Sequence, residues 1–210
     1  MSIPAYAMTY DNLSSNVLQY LERKDASTIE QIPNFIMLAE FEIAEMMKSL
    51  GQQAVAESTM EAGNSIIPKP ARWRKTTSFN ITVNGKKQPV LLRKYEYLIN
   101  YSSGTTTDTP LYYADYDYDN WLVSPTPNIA YPFEVLYYER IQPLSSENQT
   151  NWLTRNAPNA MLYGTLLQAM PFLKNDQRVI FQSKYTEAIT ALSNEDKLRI
   201  ADRQAIAQDS

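Results

Sequence analysis

The hydrophobic period changes twice along this 210-residue chain. Apolar residues recur every three to four positions at the start, alternate in the middle, and return to the helical spacing in the last third. A period near 3.6 lays one helix face on a core, and a period of 2 does the same for a strand. The order αα, β, αα therefore predicts a mainly α chain with a β insertion, an α+β arrangement. We expect a helical bundle with an inserted small antiparallel β subdomain and an extended C-terminal helix or tail. The expected segments are residues 1–70 as an N-terminal helical pair, 71–143 as the β-rich insertion, 144–192 as a C-terminal helical pair, and 193–210 as a terminal extension.

Thr9 and Asp11 precede Leu13, Val17 and Leu21, a spacing that predicts a first helix of about three turns. A turn over Glu22 to Thr28 leads to a second helix expected to start near Pro33, since proline suits the first helical position. Ile36, Ala39, Ile43, Met46, Met47 and Leu50 mark its inner face. Gly51 is an expected stop, although small residues up to Ala62 would let the helix continue. Thr76 to Val83 alternates, and Asn84-Gly85 follows, the strongest short hairpin signal, so a return strand is expected near Lys87. Arg93 to Tyr101 fits either a helix or a strand. Ser102 to Pro110 reads as a polar loop, Tyr112 to Val123 as strands broken by turns, and Phe133 to Ile141 as a Tyr-rich strand. Pro158 opens a helix carrying Leu162, Leu166, Ala169 and Leu173. Asn175 and Asp176 would cap a final helix carrying Val179, Ile180, Tyr185 and Leu192. Unbroken over residues 177–207, that helix would be ~46 Å long. A compact 200-residue domain is only ~33 Å across, so residues 193–210 are expected to project beyond the core or to stay disordered.

Composition excludes several function classes. Cysteine and histidine are both absent. Disulfides, zinc–thiolate sites, thiol nucleophiles and the commonest general base and transition-metal ligand go with them. Gly occurs 5 times, leaving little material for phosphate-cradling loops. The net charge of −4 argues against tight DNA binding, which needs a basic face. No apolar run reaches the ~18 residues of a membrane span, and residues 1–10 lack the pattern of a signal peptide. No membrane association, no cofactor and no enzymatic activity are expected. Tyr occurs 15 times, and its rigid, amphipathic ring serves cores and protein interfaces alike.

Four clusters carry candidate chemistry. Asp115, Asp117 and Asp119 have the opening spacing of a calcium loop, but Asn120 and Thr126 stand where its Gly and Glu belong. On a strand the three would form one solvated acidic face beside packed tyrosines. Arg72, Arg74 and Lys75 surround Trp73, a pattern seen in nucleic-acid sites and equally at a subdomain entry. Glu40, Glu42 and Glu45 read as a solvated helix face. Sequons, among them Asn12, Asn80 and Asn148, would matter only in a secreted chain. At the C-terminus, Leu198, Ile200 and Ile206 either fray with the tail or enter a partner's groove. A rival reading is a carboxylate-based carbohydrate-active enzyme using Asp115, Asp117, Asp119 and Glu134. Another is a tail-fibre or receptor-binding module, against which the long helices argue.

An ordered set of short motifs runs through most of the chain. It comprises Tyr10-Asp11-Asn12-Leu13, the helix from Ile32-Pro33 to Lys48, and Arg93-Lys94-Tyr95-Glu96-Tyr97-Leu98. It continues with Tyr137-Tyr138-Glu139-Arg140, Pro143-Leu144-Ser145, Thr150-Asn151-Trp152-Leu153, Ala157-Pro158 and Leu173-Lys174-Asn175-Asp176. In this the chain resembles the head-to-tail adaptor (connector) proteins of short-tailed, podovirus-like bacteriophages. The resemblance implies a virion structural protein at the portal–tail junction, made in the host cytoplasm. It implies a homo-oligomeric ring of twelve copies that joins the portal protein to the tail nozzle, and that also offers a platform to tail-fibre proteins. Genomic DNA would pass through the ring without sequence-specific binding. Residues 193–210 would dock on the portal through Leu198, Ile200 and Ile206. The Tyr-rich β region, with Tyr112, Tyr113, Tyr116, Tyr118 and Trp121, would meet the tail or a neighbouring subunit. The family offers no catalytic residues.

Overall fold

The computed structural model describes residues 8–46, 52–101, 107–174 and 178–208. The expected caps Asn175 and Asp176 and the expected stop at Gly51 lie outside the described residues. Two compact units emerge, one from residues 1–52 with 141–210 and one from residues 53–140.

The expectation of a mainly α bundle with a small antiparallel insertion is corrected. Helix makes up 46% and strand 28%, the strands form three sheets, and the fold is α+β. The strand-rich part is neither small nor wholly antiparallel. It has its own hydrophobic core and includes two parallel strand pairs.

The helical unit holds α1 (Tyr10–Leu21), α2 (Ala26–Met46), α4 (Trp152–Asn156), α5 (Pro158–Leu173) and α6 (Arg178–Gln208). Thr9 caps α1 by accepting the Asn12 N–H at 3.1 Å, and Leu13 and Val17 are its fully buried pair. α2 starts seven residues before the expected Pro33, because Asp25 caps it. The Asp25 carboxylate accepts from the Thr28 hydroxyl (2.6 Å), the Ser27 hydroxyl (2.8 Å) and the Thr28 N–H (3.1 Å). These bonds, led by that of the Thr28 hydroxyl, hold the carboxyl down at about 2. Pro33 lies inside α2, where it withholds one ladder N–H.

α5 is the central helix of this unit. Eight of its residues are buried, including Met161, Leu166, Ala169 and Met170. Gly164 lets its neighbours come close. A Cβ there would sit 3.1 Å from the Tyr185 ring and 3.4 Å from Ala39. Phe181, Tyr185 and Leu192 bury one stripe of α6, whereas Val179 and Ile180 are exposed.

A polar network joins the two sequence segments of the unit. Asn151 is the N-cap of α4 in a capping box with Thr154, 3.2 Å and 3.0 Å in the two directions. Its amide also donates to the Gln142 carbonyl at 3.2 Å and to the Glu40 carboxylate on α2 at 2.5 Å. Glu40, expected on a solvated face, is buried, and it also accepts the Leu144 N–H at 3.1 Å and 3.2 Å.

The strand unit contains β1 (Gln53–Met60), β2 (Ile66–Pro68), β3 (Trp73–Val83), β4 (Lys86–Pro89), β5 (Leu91–Leu92), α3 (Tyr95–Tyr101), β6 (Thr107–Asp108), β7 (Tyr112–Asp115), β8 (Asn120–Ser124), β9 (Thr126–Pro127) and β10 (Tyr131–Glu139). One sheet is ordered β1-β10-β3-β4, a second β2-β8-β7-β5, and β6 pairs with β9. The first two share a core in which Phe79 of β3 packs against Trp121 of β8 and Tyr113 of β7, with ring centroids 5.3 Å and 5.1 Å apart. The Asn84-Gly85 hairpin forms as expected. Val83 pairs with Lys86, and both turn residues take positive φ, 50° and 75°. β1 departs from expectation, since its small residues read as a continuing helix. It pairs along its whole length with β10, from Gln53 opposite Tyr138 to Met60 opposite Tyr131, and tertiary pairing overrides local preference there.

Burial, the largest influence, lifts the Glu40 carboxyl from 4.5 to about 7, partly offset by its bonds from Leu144 and Asn151. A folded-state pKa above the unfolded one means that the folded chain holds the extra proton between pH 4.5 and 7. The contribution of Glu40 is therefore most favourable below pH 4.5 and is lost as pH rises through 7. Urea unfolding should show stability falling from pH 5 to pH 8 by on the order of 1–3 kcal/mol more in the parent chain than in Glu40→Gln. Parallel pH profiles of the two would refute this.

Candidate interaction surface

Leu98 alone anchors α3. It is 1% exposed and is the one buried residue of that seven-residue helix. The helix begins where the Lys94 carbonyl accepts the Tyr97 and Leu98 N–H groups, and β5 lies against β7 through Leu91 N–H to the Leu111 carbonyl and Arg93 N–H to the Tyr113 carbonyl. With one buried anchor, the other faces of α3 turn outward. Tyr95, Tyr97, Ile99 and Tyr101 are all exposed, as are Leu91 and Leu92 beside them.

The exposed rings are ordered against each other. Tyr97 and Tyr101, one helical turn apart, stack at 5.8 Å with 17° between planes. The Tyr112 ring stands nearly perpendicular to both, at 5.3 Å and 5.0 Å. The Arg93 guanidinium lies over Tyr112 at 5.4 Å and over Tyr97 at 5.9 Å. Tyr95 meets Tyr116 across 6.0 Å. A hydrogen bond with Tyr112 is the main influence raising the Tyr97 hydroxyl above its ordinary pKa. Five tyrosines and one arginine thus form a stiff ledge with apolar faces and polar tips. Such a surface is suited to binding by contact area and hydrogen bonding.

The residues expected at a tail or neighbour interface divide. Tyr116 and Tyr118 are exposed, Tyr112 is half-buried on the ledge, and Tyr118 lies under the Arg140 guanidinium at 5.8 Å. Tyr113 (5% exposed) and Trp121 (0%) belong to the core, because the alternation of β7 and β8 points them at Phe79. On the helical unit, Leu198 is exposed on α6, while the side chains of Ile200 and Ile206 lie outside the described residues. The ledge residues Arg93, Tyr95, Tyr97 and Tyr101 were legible only as a motif. Their signal was a helix-spaced Tyr pair around a single leucine.

The acidic cluster is not a strand face. Asp117 and Asp119 lie in the turn between β7 and β8, where the Asp117 carboxylate accepts from the Asp119 and Asn120 N–H groups at 2.8 Å and 2.7 Å. Bonding with the Asn120 side chain is the chief reason its pKa lies below the ordinary range. Asp115 pairs with Lys69 at 3.1 Å, and that ammonium also donates to the Asp117 carbonyl at 2.7 Å and sits 4.0 Å over the Trp73 ring. Glu134, the fourth acid of the glycosidase reading, lies on β10 of the other sheet and is held by Lys87 at 2.6 Å. Within the basic cluster, Lys75 is exposed. Arg72 pairs with Glu139 at 2.7 Å, and Trp73 stacks edge-on to Trp121.

With a surface built for contact, the family match is decisive. The model of the SU10 adaptor protein family covers residues 8–207. The chain belongs to the SU10 adaptor protein family. This adaptor is therefore a bacteriophage structural protein and a virion component. No curated protein matches the chain significantly. None of the described helices is long and apolar enough to cross a membrane.

Leu98→Ala should cost about 2–4 kcal/mol, because it leaves a cavity under α3. Tyr97→Ala should cost less than about 1 kcal/mol, because its ring is surface-exposed. Urea unfolding of the two variants checks this, and equal losses would contradict the single-anchor account.

Proposed function

We propose that this adaptor acts as a closed ring of twelve copies that joins the portal to the tail nozzle at the head–tail junction and extends the DNA channel. The observation that carries the reading is the family match over nearly the whole chain, together with ordered, exposed aromatic surface. Residues 193–210 dock on the portal through Leu198, Ile200 and Ile206. The tyrosine ledge, with Tyr112, Tyr116 and Tyr118, faces a tail protein, a fibre protein or the adjacent subunit. Closed symmetry lets each contact be modest, since a ring repeats it around the axis. DNA passes along a wall with little net positive charge, consistent with the overall −4.

Truncation after Leu192 tests the docking role cleanly. The buried residues of α6 named above, Phe181, Tyr185 and Leu192, all precede the cut, so the shortened chain should keep its cooperative unfolding. Co-sedimentation with purified portal protein should be lost. Docking at parental strength by the folded, truncated chain would refute the assignment.

A further inference from the structure

We propose that the β1 edge of the strand unit receives an extended, basic and apolar segment of another protein as an added strand. β1 is the outer strand of its sheet and β2 the outer strand of the other. A cleft of about 590 Å³ lies beside them, within the ~300–1,000 Å³ of typical ligand sites. The inward row of β1 explains the space. Alternation points Ala54, Ala56 and Ser58 toward the core, and these small residues leave Phe133 and Trp121 as an aromatic floor, with Ile66 and Ile67 opposite.

The two edges differ in what they offer. On β2, the Ile66 N–H is already taken by the Asn64 side chain at 2.9 Å, and Pro68 has no N–H to give. β1 has no proline, and an edge strand of eight residues presents alternate N–H and C=O groups to a new neighbour. A chain pairing there would continue the sheet, and every second side chain would enter the cleft. That backbone row favours a peptide over a small molecule.

Charge selects the occupant further. Glu61 on the cleft and Glu57 on β1 have no cation within salt-bridge distance among the described residues, whereas Lys69 is neutralised by Asp115. The cleft side carries Glu61 and the outer face of the edge strand carries Glu57, so Lys or Arg on the incoming segment is complementary. The inference is independent of the ring and of portal docking.

The test is a titration of the ¹⁵N-labelled full chain with an acetylated, amidated nonapeptide of alternating valine and lysine. Saturable shifts are expected at the amides of residues 54–60 and at the Trp121 indole N–H, which has no hydrogen-bond partner among the described residues. Alternating valine–glutamate and serine–lysine peptides should bind at least about tenfold more weakly. Ser58→Phe, which fills the cleft, should abolish binding. Glu61→Lys should shift preference toward the valine–glutamate peptide, and it serves independently should Ser58→Phe misfold. Absence of saturable binding would overturn the proposal, as would equal binding of the serine–lysine peptide or unchanged binding by folded Ser58→Phe. Sedimentation showing that Ser58→Phe dissolves a self-dimer would also overturn it, since the occupant would then be a second copy.

Discussion

The helical unit depends on one buried carboxylate. Its two parts are separated in sequence by the whole strand unit, so nothing local brings residues 141–174 back to α2. Glu40 supplies the join by accepting from Leu144 and from Asn151, which is 111 residues away. Burying a carboxylate is costly unless donors surround it, and here the donors are neutral. The rise of its pKa to about 7 records that residual cost. Asn151 carries two further obligations, since its side chain caps α4 by accepting the Thr154 N–H and donates to the Gln142 carbonyl. The rest of the unit packs as one hydrophobic cluster. Leu153, Met161 and Leu166 are fully buried in it, and Gly164 brings α5 close to α2 and α6.

The strand unit is organised by aromatic packing. Phe79 touches Tyr113, Trp121 and Phe133, so one side chain couples three strands from two sheets. The same residue type then appears outside. Tyr97, Tyr101 and Tyr112 order each other as core rings do, yet they face solvent. Rings already fixed against each other lose little freedom on binding, which favours a standing contact surface. Three of the charged groups that suggested chemistry are held in ion pairs within the fold, Asp115 with Lys69, Glu134 with Lys87 and Arg72 with Glu139.

Much of this was readable where a local rule suffices. Asn84-Gly85 specifies its hairpin by backbone conformation alone, and Leu13 with Val17 fixes the inner face of α1. Reading failed where distant partners decide. Gln53–Met60 has helix-compatible composition and becomes a strand only against β10. Pro33 suggested a helix start because the stronger cap at Asp25 lies upstream. Glu40 looked like a surface acid because its donors are over a hundred residues away. Tyr113 and Trp121, which the resemblance implied for an interface, are turned inside by strand alternation. Tyr116 is exposed and Tyr112 half-buried on the ledge.

The central claim is that this adaptor functions by closing into a ring on another ring. Electron microscopy of the purified chain mixed with purified portal protein tests it most directly. The account predicts portal particles bearing an added closed ring of twelve copies on one face. Bare portals beside free monomers, or single copies attached without closure, would contradict it.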